Sequence, residues 1–491
     1  MEAKGDPVHG KHLAAVHPIL IGGAFVPGEG DPLLVVDPSN GTCFGTVGTA
    51  SAGQVAVAAD AGKAGLAESG WAGWEPHRRA RVLHIIAGTI EDRIGRIADL
   101  QVRENGKTRK ESVAQAKSAA ATFRYYAGVC EALHEDMPPA RGNYVTMTVH
   151  EPFGVVAALT PWNSPLTMGA QKIAPALAAG NAVILKPAET TSLVSLALGE
   201  CCVDGGLPAG LISVLPGRGD LGAALVADPD IGCISFTGGT ATGRRIASVA
   251  SERLVPLILE LGGKSSHIVF ADADLGAAAR SVASGIFEST GQSCVAGARL
   301  LVERAIADEF LDLMVDQAKT FVVGPPTDPA TVIGPLSSFA HRERVEGFVD
   351  AAVAEGARIV VGGARPKGAQ YEEGAYYLPT ILAGLGNEST AVQEEIFGPV
   401  LCALTFEDED DLVAQANDSI YGLASGIWTA DYKRAWRMAR RLQAGSVWIN
   451  TYKQLSIAAP FGGFKMSGLG REKGIQGLRA YQESKSIYWG L

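Results

Sequence analysis

The sequence reads GVVAALTPWN at 154–163, NAVILKPAE at 181–189, LISVLPGRG at 211–219 and CISFTGGT at 233–240. Each segment is a short apolar run that ends in a proline or glycine turn, and a helix-like stretch follows each of them. Repeated strand–turn–helix units predict an α/β fold with a mostly parallel sheet. Ligands of such sheets bind at the carboxyl ends of the strands, which is where these turns lie.

A second series of strand candidates follows residue 262 and predicts another α/β body over about 263–460. Its strands run from SSHIVF to GSVWIN, and helical stretches at 274–288, 305–320, 338–355 and 431–442 separate them. Upstream of the first series, about 55–135 has a helical pattern, and we expect 1–17 to form a tail.

Two further segments have the alternating pattern of strands, YVTMTVHEP at 144–152 and YQESKSIYWGL at 481–491. We expect them to pair in a small sheet away from the two main bodies. An exposed edge of this kind would favour contacts between copies of the chain.

The composition is that of a large globular protein: 491 residues, 47% of them hydrophobic, with a net charge of −10. No run of basic residues stands out, so nucleic acid and anionic membrane are not expected partners. No apolar run approaches the roughly 18 residues of a membrane span. The first residues lack the pattern of a signal peptide, and we expect a cytoplasmic protein.

The cysteines do not form the pattern of a disulfide framework or a zinc site. They are odd in number and scattered, without a CxxC pair: Cys43, Cys130, Cys201, Cys202, Cys233, Cys294 and Cys402. The acidic run at 407–411 is interpreted as a solvated helix N-terminus, so no metal site is predicted.

Two glycine-rich turns are candidate phosphate sites. Gly217–Gly222 has the form GxGxxG, but it follows several earlier strands, and an ordinary turn explains it equally well. In SFTGGTATG at 235–243, a strand ends, glycines turn and a helix starts, which would present free amides to a pyrophosphate. A plain strand–helix connection remains the alternative.

ILKPAE at 184–189 places Lys186 and Glu189 just after a strand. A carboxylate there can accept hydrogen bonds from ribose hydroxyls and would repel a 2′-phosphate, which favours NAD over NADP. The alternative is a pair of surface charges.

Three residues are candidates for covalent chemistry at a carbonyl. Cys294 stands among small residues after a helix, where a thiol can act as nucleophile, although a lone cysteine is more often inert. Glu260 lies inside an apolar run, which favours either an ion pair or a general base of raised pKa. The amide of Asn163 could donate to an oxyanion, or simply form a turn. No histidine has the spacing of a catalytic triad.

Taken together and in this order, the motifs resemble the aldehyde dehydrogenase superfamily over about 18–491. The residues that carry the resemblance are PWN at 161–163, ILKPAE at 184–189, FTGGT at 236–240, LELGGKS at 259–265, GQSC at 291–294, EEIFGPV at 394–400 and PFGGFKMSGLGRE at 460–472. The resemblance implies a Rossmann-like NAD-binding domain, an α/β catalytic domain and a small β arm for oligomerisation. The implied bounds are 18–129 with 150–262, then 263–460, and 130–149 with 478–491.

The resemblance also implies roles for individual residues. Cys294 would form a thiohemiacetal and then a thioester, Asn163 and the Cys294 amide would hold the oxyanion, and Glu260 would activate water. Lys172 and Glu472 match a proton relay. The implied cofactor residues are Trp162, Lys186, Glu189, Gly219, Phe236, Gly238, Gly239, Leu261, Glu395 and Phe397. The implied substrate-pocket residues are Ser164, Met168, Gln171, Ser293, Val295, Lys453, Leu455 and Phe461.

Some positions differ from many relatives. Gly239 replaces a frequent serine, Ser164 replaces an aromatic residue, and Gln171 stands where some relatives have tryptophan. We therefore expect a substrate tunnel that is wider or more polar than that of enzymes for simple alkyl aldehydes. Lys453 is a candidate anchor for the carboxylate of a semialdehyde, or a solvated lysine.

The leading hypothesis is oxidation of an aldehyde to the free acid with NAD and without a metal. Alternatives are a CoA-acylating semialdehyde dehydrogenase, a cysteine hydrolase without redox chemistry, and a catalytically idle descendant. Glu260 argues against CoA as acceptor, because CoA would not need a base for water. The resemblance also implies a homodimer or a homotetramer.

Overall fold

The computed structural model describes residues 15–491. The first ten strands are β1 (Ile19–Ile21), β2 (Ala24–Val26), β3 (Gly30–Val36), β4 (Cys43–Thr49), β5 (Tyr144–Pro152), β6 (Val155–Leu159), β7 (Ala182–Lys186), β8 (Ile212–Val214), β9 (Ile231–Thr237) and β10 (Leu257–Glu260). The others are β11 (Ser266–Val269), β12 (Arg299–Glu303), β13 (Arg358–Val361), β14 (Thr380–Ala383), β15 (Val400–Phe406), β16 (Ala424–Trp428), β17 (Ser446–Ile449), β18 (Gly468–Leu469) and β19 (Gln482–Gly490).

The first eight helices are α1 (Ala52–Ser69), α2 (Pro76–Asp92), α3 (Ile94–Asn105), α4 (Arg109–Ala132), α5 (Pro165–Ala178), α6 (Ser192–Asp204), α7 (Gly219–Ala227) and α8 (Thr240–Ser251). The later helices are α9 (Leu275–Phe287), α10 (Ala307–Lys319), α11 (Phe339–Ala354), α12 (Ala369–Glu372), α13 (Thr390–Gln393), α14 (Glu409–Asn417), α15 (Tyr432–Arg441) and α16 (Gly474–Arg479).

An eight-stranded sheet contains the four segments that open the sequence analysis. Its order is β18-β10-β9-β6-β7-β8-β1-β2, and the five strands from β10 to β8 are parallel. Val183 and Leu185 of β7 face one apolar core, while Ile184 faces another, so helices cover both faces. This burial explains the continuous apolar runs of the sequence and confirms the predicted parallel α/β sheet.

A seven-stranded sheet follows, in the order β13-β14-β15-β12-β11-β16-β17, and only the β13–β14 pair is antiparallel. The strands at 266–269, 299–303 and 446–449 match their sequence predictions. β16 was not predicted, although it lies between β11 and β17, because its sequence ASGIW is short and contains glycine.

Two small antiparallel sheets complete the fold. β19 pairs with β5 over its whole length, from Gln482 opposite Pro152 to Gly490 opposite Tyr144, as the alternation of both segments predicts. The β3–β4 pair was not predicted. Of the predicted tail 1–17, residues 1–14 lie outside the described part, and His17 bridges to Val47.

The domain bounds given in the sequence analysis stay a prediction. The eight-stranded sheet includes a strand from outside the bounds of the NAD-binding domain. β18, at 468–469, belongs to the eight-stranded sheet although it lies beyond 150–262. It returns to that sheet by pairing with β10, with Gly468 opposite Glu260. The C-terminal part of the chain is thereby brought against the end of the strand that carries Glu260.

Glu104, at the end of α3, fixes the start of α6. Its two carboxylate oxygens accept hydrogen bonds from the amides of Leu193 (2.7 Å) and Val194 (2.8 Å), and the side chain is 1% exposed. The first amides of a helix have no partner within the helix, so an acceptor from elsewhere stabilises them. Glu104 thus anchors the segment that directly follows Lys186–Glu189.

We expect Glu104→Gln to lower the free energy of unfolding by about 1–3 kcal/mol, because the amide offers one acceptor for two buried donors. Urea denaturation followed by circular dichroism measures the change. Glu131→Gln, on the exposed face of α4, is the control and should be neutral. Equal stability of the two variants would show that Glu104 does not hold α6.

Candidate active site

A cavity of about 460 Å³ lies at the carboxyl edge of the eight-stranded sheet. Residues that follow β6, β9 and β10 line it, together with the loop before β12 and the segment around Phe461. Asn163, Glu260 and Cys294 all contribute to its wall, although they are far apart in sequence. The turns after β6 and β10 bring Asn163 and Glu260 to the chamber, as expected for this type of sheet, and the loop before β12 brings Cys294 to it.

The loop that carries Cys294 is tightly held. Ser289 and Thr290 have positive φ angles of 57° and 56°, a conformation that costs free energy in residues with a side chain. The Tyr452 hydroxyl donates to the Val295 carbonyl oxygen at 3.0 Å, next to the cysteine. These constraints leave the Cys294 thiol half-buried at the cavity wall.

Asn163 follows β6 and is joined to the cysteine loop. Its side-chain nitrogen donates to the Gln292 carbonyl oxygen at 2.9 Å. From the other side, the Asn105 amide donates to the Trp162 carbonyl oxygen at 3.2 Å. An amide donor near the thiol is thus fixed before any charge develops, which is the requirement for an oxyanion site.

Glu260 ends β10 and is 4% exposed, and neither of its carboxylate oxygens has a hydrogen-bond partner among the described residues. A Cβ on Gly462 would lie 2.8 Å from Glu260 Oε1, so only glycine leaves room there. Burial, and then repulsion by Glu472, raise the pKa of Glu260 well above its usual value. A buried carboxyl without partners is costly for the fold, which favours a functional role.

A chain of buried polar groups leads from the cavity into the protein. Glu472 lines the cavity and accepts a hydrogen bond from Lys172 Nζ at 2.6 Å. Lys172 Nζ also donates to Ser235 Oγ at 2.9 Å, and the Tyr481 hydroxyl lies 3.0 Å from the same oxygen. Lys172 and Glu472, which the sequence analysis pairs in a proton relay, are thus in direct contact.

A second cavity, of about 540 Å³, lies alongside the first. Lys186, Glu189 and Gly219 line it, and Lys186 Nζ is 3.3 Å from Glu189 Oε1. No side chain among the described residues caps the N-terminus of α8, which begins at this cavity. A carboxylate for ribose hydroxyls and helix amides for phosphates are the groups that a dinucleotide needs.

The two cavities meet, because Pro161, Trp162, Thr237, Gly238 and Gly239 line both. Glu395 lies in the first cavity and accepts a hydrogen bond from the Gly263 amide at 2.9 Å. Phe397, with φ of 62°, packs edge-on against Trp162 at 5.3 Å. A ligand in the second cavity can therefore extend past Trp162 toward the thiol.

Residues 25–487 match the family model described as aldehyde dehydrogenase family. The chain belongs to the aldehyde dehydrogenase family.

Curated relatives and solved structures agree with this assignment. A betaine aldehyde dehydrogenase of Brucella melitensis is 40% identical over 470 residues, which cover 95% of this chain and 96% of that protein. A betaine aldehyde dehydrogenase mutant of Staphylococcus aureus in complex with NAD⁺ is 35% identical, with a TM-score of 0.94 and 96% of each chain covered. An indole-3-acetaldehyde dehydrogenase mutant of P. syringae, in complex with NAD⁺ and IAA, is 36% identical, with a TM-score of 0.95 over 98% of this chain and 97% of that one.

This family member is an oxidoreductase that acts on aldehydes and forms acids. The expected fold and reaction class are thus confirmed. Burial, and then the nearby Glu395 and Glu260, raise the pKa of the Cys294 thiol to about 12. The sulfur is therefore protonated at neutral pH without a ligand, and its attack on a carbonyl requires a group that accepts the proton.

Most of the predicted site residues line one of the two cavities. Those in the first are Trp162, Asn163, Ser164, Met168, Gln171, Gly238, Gly239, Glu260, Leu261, Ser293, Cys294, Val295, Glu395, Phe397, Leu455, Phe461 and Glu472. Those in the second are Trp162, Lys186, Glu189, Gly219, Phe236, Gly238 and Gly239.

Lys172 and Lys453 line neither cavity. Lys172 lies behind Glu472, as a relay residue would. Lys453 Nζ lies 3.4 Å from the Ser284 carbonyl oxygen on α9, and burial lowers the pKa of its ammonium to about 8. The ammonium of Lys453 is thus directed toward α9, and its role as an anchor for a substrate carboxylate stays a prediction.

Several residues of the first cavity were not predicted from the sequence. Ser118 and Thr122 on α4, and His341 and Arg344 on α11, line it. The members of each pair are four and three residues apart, so each pair lies on one face of its helix. This spacing is the sequence feature from which they could have been predicted. Lys473, directly after Glu472, also lines the cavity.

No helix within 15–491 is long and apolar enough to cross a membrane. In the same part of the chain, no group of three or more His, Cys, Asp and Glu side chains is arranged to hold a metal ion.

Proposed function

We propose that this chain oxidises an aldehyde to the carboxylic acid with NAD⁺ through covalent catalysis at Cys294. The observation that carries the proposal is the meeting of the two cavities at Trp162: Cys294 and Glu260 line one, and Glu189 lines the other. The experiment is incubation of the chain with NAD⁺ and a panel of aldehydes. The proposal requires NADH and free acid in equal amounts, and it fails if no aldehyde yields NADH.

Residues of the second cavity fit a dinucleotide. Glu189 would hold the adenosine ribose, the N-terminus of α8 would hold the pyrophosphate, and Glu395 would hold the ribose nearer the thiol. Bound there, NAD⁺ supplies the acceptor for hydride. Trp162 and Phe397, packed edge to face, form the wall past which the cofactor would extend.

The first half of the reaction takes place at Cys294. The Cys294 thiol gives up its proton to solvent water and the sulfur adds to the aldehyde carbon. The carbonyl oxygen becomes an oxyanion that the Asn163 amide and the Cys294 backbone N–H stabilise. Loss of hydride from this thiohemiacetal leaves a thioester on the same sulfur. The thioester is still activated toward attack, so one residue serves both halves.

The second half is hydrolysis. Glu260 takes a proton from water as the water attacks the thioester carbon, and the acid leaves Cys294 as thiol. Glu472, which lines the same chamber and is joined by hydrogen bonds to Lys172 and Ser235, would accept the proton from Glu260. A raised pKa suits Glu260 to this role, because it makes the carboxylate a stronger base than an exposed glutamate.

We propose that Glu189 makes the chain prefer NAD⁺ to NADP⁺, because its carboxylate would accept hydrogen bonds from the ribose hydroxyls and would repel a 2′-phosphate. We expect Glu189→Ser to reduce the ratio of kcat/KM for NAD⁺ over NADP⁺ by about tenfold, equivalent to about 1.4 kcal/mol.

Steady-state kinetics with both cofactors measure that ratio. Glu252→Ser, an exposed glutamate near the end of α8, is the matched control and should leave it unchanged. An unchanged ratio in Glu189→Ser would refute the ribose assignment.

Two alternatives are separable by product. A CoA-acylating enzyme would form acyl-CoA when CoA is supplied, whereas the present proposal requires free acid. A cysteine hydrolase needs a histidine partner for the thiol. His341 lines the same cavity, but its Nε2 is engaged with the Phe397 carbonyl oxygen at 2.8 Å and burial lowers its pKa to about 4.

We further propose a cytoplasmic homodimer or homotetramer that assembles through 130–149 and 478–491. Support comes from β19, where Tyr488 and Trp489 are each 67% exposed at the end of a two-stranded sheet. Large exposed aromatic side chains at a sheet edge are typical of an interface. Analytical ultracentrifugation of the full chain tests the assembly, and a monomer at micromolar concentration would refute it.

A further inference from the structure

We propose that the substrate is a neutral aldehyde that carries hydroxyl groups along its chain, and not an alkyl, cationic or carboxylated aldehyde. This inference rests on the proposed function. It concerns the part of the first cavity away from the cofactor, where α4 and α5 supply one wall.

That wall is rich in hydroxyl and amide groups. Ser118 and Thr122 stand four residues apart on α4, and Ser164, Thr167 and Gln171 stand at the start of α5 and along it. Both helices thus direct small polar side chains into the chamber, while Met168, Leu455 and Phe461 provide apolar contacts elsewhere. A chamber built for alkyl chains would be apolar on all sides.

The polar atoms of this wall are left with free hydrogen-bonding capacity. Gln171 is 6% exposed, and its side-chain amide makes no hydrogen bond with another described residue. Ser164 Oγ accepts from Gln115 Nε2 at 3.1 Å and so keeps its own proton to donate. Thr122 Oγ1 donates to the Ser118 carbonyl oxygen at 2.8 Å and so keeps its lone pairs to accept.

An amide donor and acceptor, a hydroxyl donor and a hydroxyl acceptor therefore face the same space. An alkyl substrate would displace water from these groups and leave them unpaired, which costs free energy. A hydroxylated substrate would replace that water with direct hydrogen bonds.

The described residues of this part of the cavity lack the groups that usually bind a cationic substrate. Quaternary ammonium groups are held by several aromatic faces. The aromatic residue on this side of the cavity is Phe461, and Lys473 Nζ already lies 4.8 Å from its ring centroid. Trp162 is packed edge to face with His341 and Phe397 toward the cofactor side.

An anionic substrate is not favoured either. Glu260 and Glu472 both line the chamber, and Lys453, the predicted anchor, does not. Lys473 also lines it, over the Phe461 ring, but Glu260 and Glu472 are close enough to offset its charge. The remaining charge class is the neutral one.

The test compares glyceraldehyde with propanal, which has the same chain length, and adds a cationic and a carboxylated aldehyde. Each rate is corrected by NMR for the hydrated fraction of the aldehyde. We expect kcat/KM to be about 10–100-fold higher for glyceraldehyde than for propanal, equivalent to about 0.7–1.4 kcal/mol for each of the two hydroxyls. Betaine aldehyde and succinic semialdehyde should be poorer than glyceraldehyde by at least as much.

Two variants tie the preference to the wall. Gln171→Leu and Thr122→Val should each reduce the glyceraldehyde-to-propanal ratio by about 3–10-fold, mainly through a lower value for glyceraldehyde. Thr89→Val is the matched control, because Thr89 Oγ1 makes the same hydrogen bond to the carbonyl four residues earlier, at 3.0 Å, on α2 away from the cavity. NAD⁺ binding followed by protein fluorescence confirms that each variant is folded.

The outcomes separate this inference from the proposed function. A higher kcat/KM for propanal, betaine aldehyde or succinic semialdehyde than for glyceraldehyde would overturn the proposed substrate class. It would leave the proposed function intact, because NADH would still form. An unchanged ratio in both folded variants would also overturn it. No NADH with any aldehyde would overturn both.

Discussion

We expect Cys294→Ser to reduce the rate of NADH formation by about 10⁴-fold or more and to leave NAD⁺ binding intact. The serine hydroxyl is nearly the size of the thiol, so the loop held by Tyr452 should keep its conformation. A hydroxyl is a far weaker nucleophile toward the carbonyl without a strong base, and no thiohemiacetal would form. The measurement is NADH absorbance under saturating aldehyde, with fluorescence for cofactor binding.

Cys43→Ser is the matched control for this variant. Cys43 and Cys294 are the two cysteines that are not buried, and Cys43 lies in β4, away from both cavities. We expect full activity from Cys43→Ser. Substantial NADH formation by a pure Cys294→Ser preparation would eliminate the nucleophile assignment.

The second large effect is expected from Glu260→Gln. Its first turnover should release about one NADH for each active site, because hydride loss precedes the step that needs the base. Steady-state turnover should then fall by about 10²–10⁴-fold, the usual range for loss of a general base. Stopped-flow absorbance resolves the burst from the slow phase.

Hydroxylamine provides a control for this interpretation. Because it also condenses with free aldehyde, it is added after excess aldehyde has been removed. It should then cleave the thioester without needing Glu260, yield the hydroxamate and free the thiol for a second burst of NADH. It should not produce such a burst in Cys294→Ser. A variant that loses the burst itself would show that Glu260 acts before hydride transfer.

The raised pKa of Glu260 gives a pH dependence with a defined sign. Only the carboxylate form can take a proton from water, and its population grows as pH rises through a pKa that lies well above the usual glutamate value. We therefore expect kcat to rise with pH as the Glu260 carboxyl loses its proton, wherever hydrolysis limits turnover. The rise should be absent in Glu260→Gln, and its persistence there would assign it to another group.

The parallel strands and the site turns were predictable because they are local in sequence. The apolar run AVIL in NAVILKPAE is continuous because both faces of β7 are covered. It ends where a candidate ligand-binding turn begins. The pairing of β5 with β19 also followed from alternation in the two segments. These signals depend on neighbouring residues alone.

Other features depend on contacts between distant parts of the chain. β16 is short and glycine-containing, and it is a strand because β11 and β17 pair with both of its edges. Ser118 and Thr122 line the cavity only because α4 packs beside α5. Lys453 was predicted as a pocket residue because it stands shortly before PFGG. The sequence did not predict that, with φ of 56° at Lys453, the ammonium is directed toward α9.

The central claim is that an acyl group derived from the aldehyde is carried on the sulfur of Cys294. Mass spectrometry of Glu260→Gln, quenched in acid after mixing with aldehyde and NAD⁺, tests it most directly. Covalent catalysis at Cys294 predicts an adduct equal to the aldehyde minus two hydrogen atoms, on the peptide that contains Cys294, formed in step with NADH and removed by hydroxylamine. A stoichiometric burst of NADH with this peptide unmodified, or with the adduct on another residue, would contradict it.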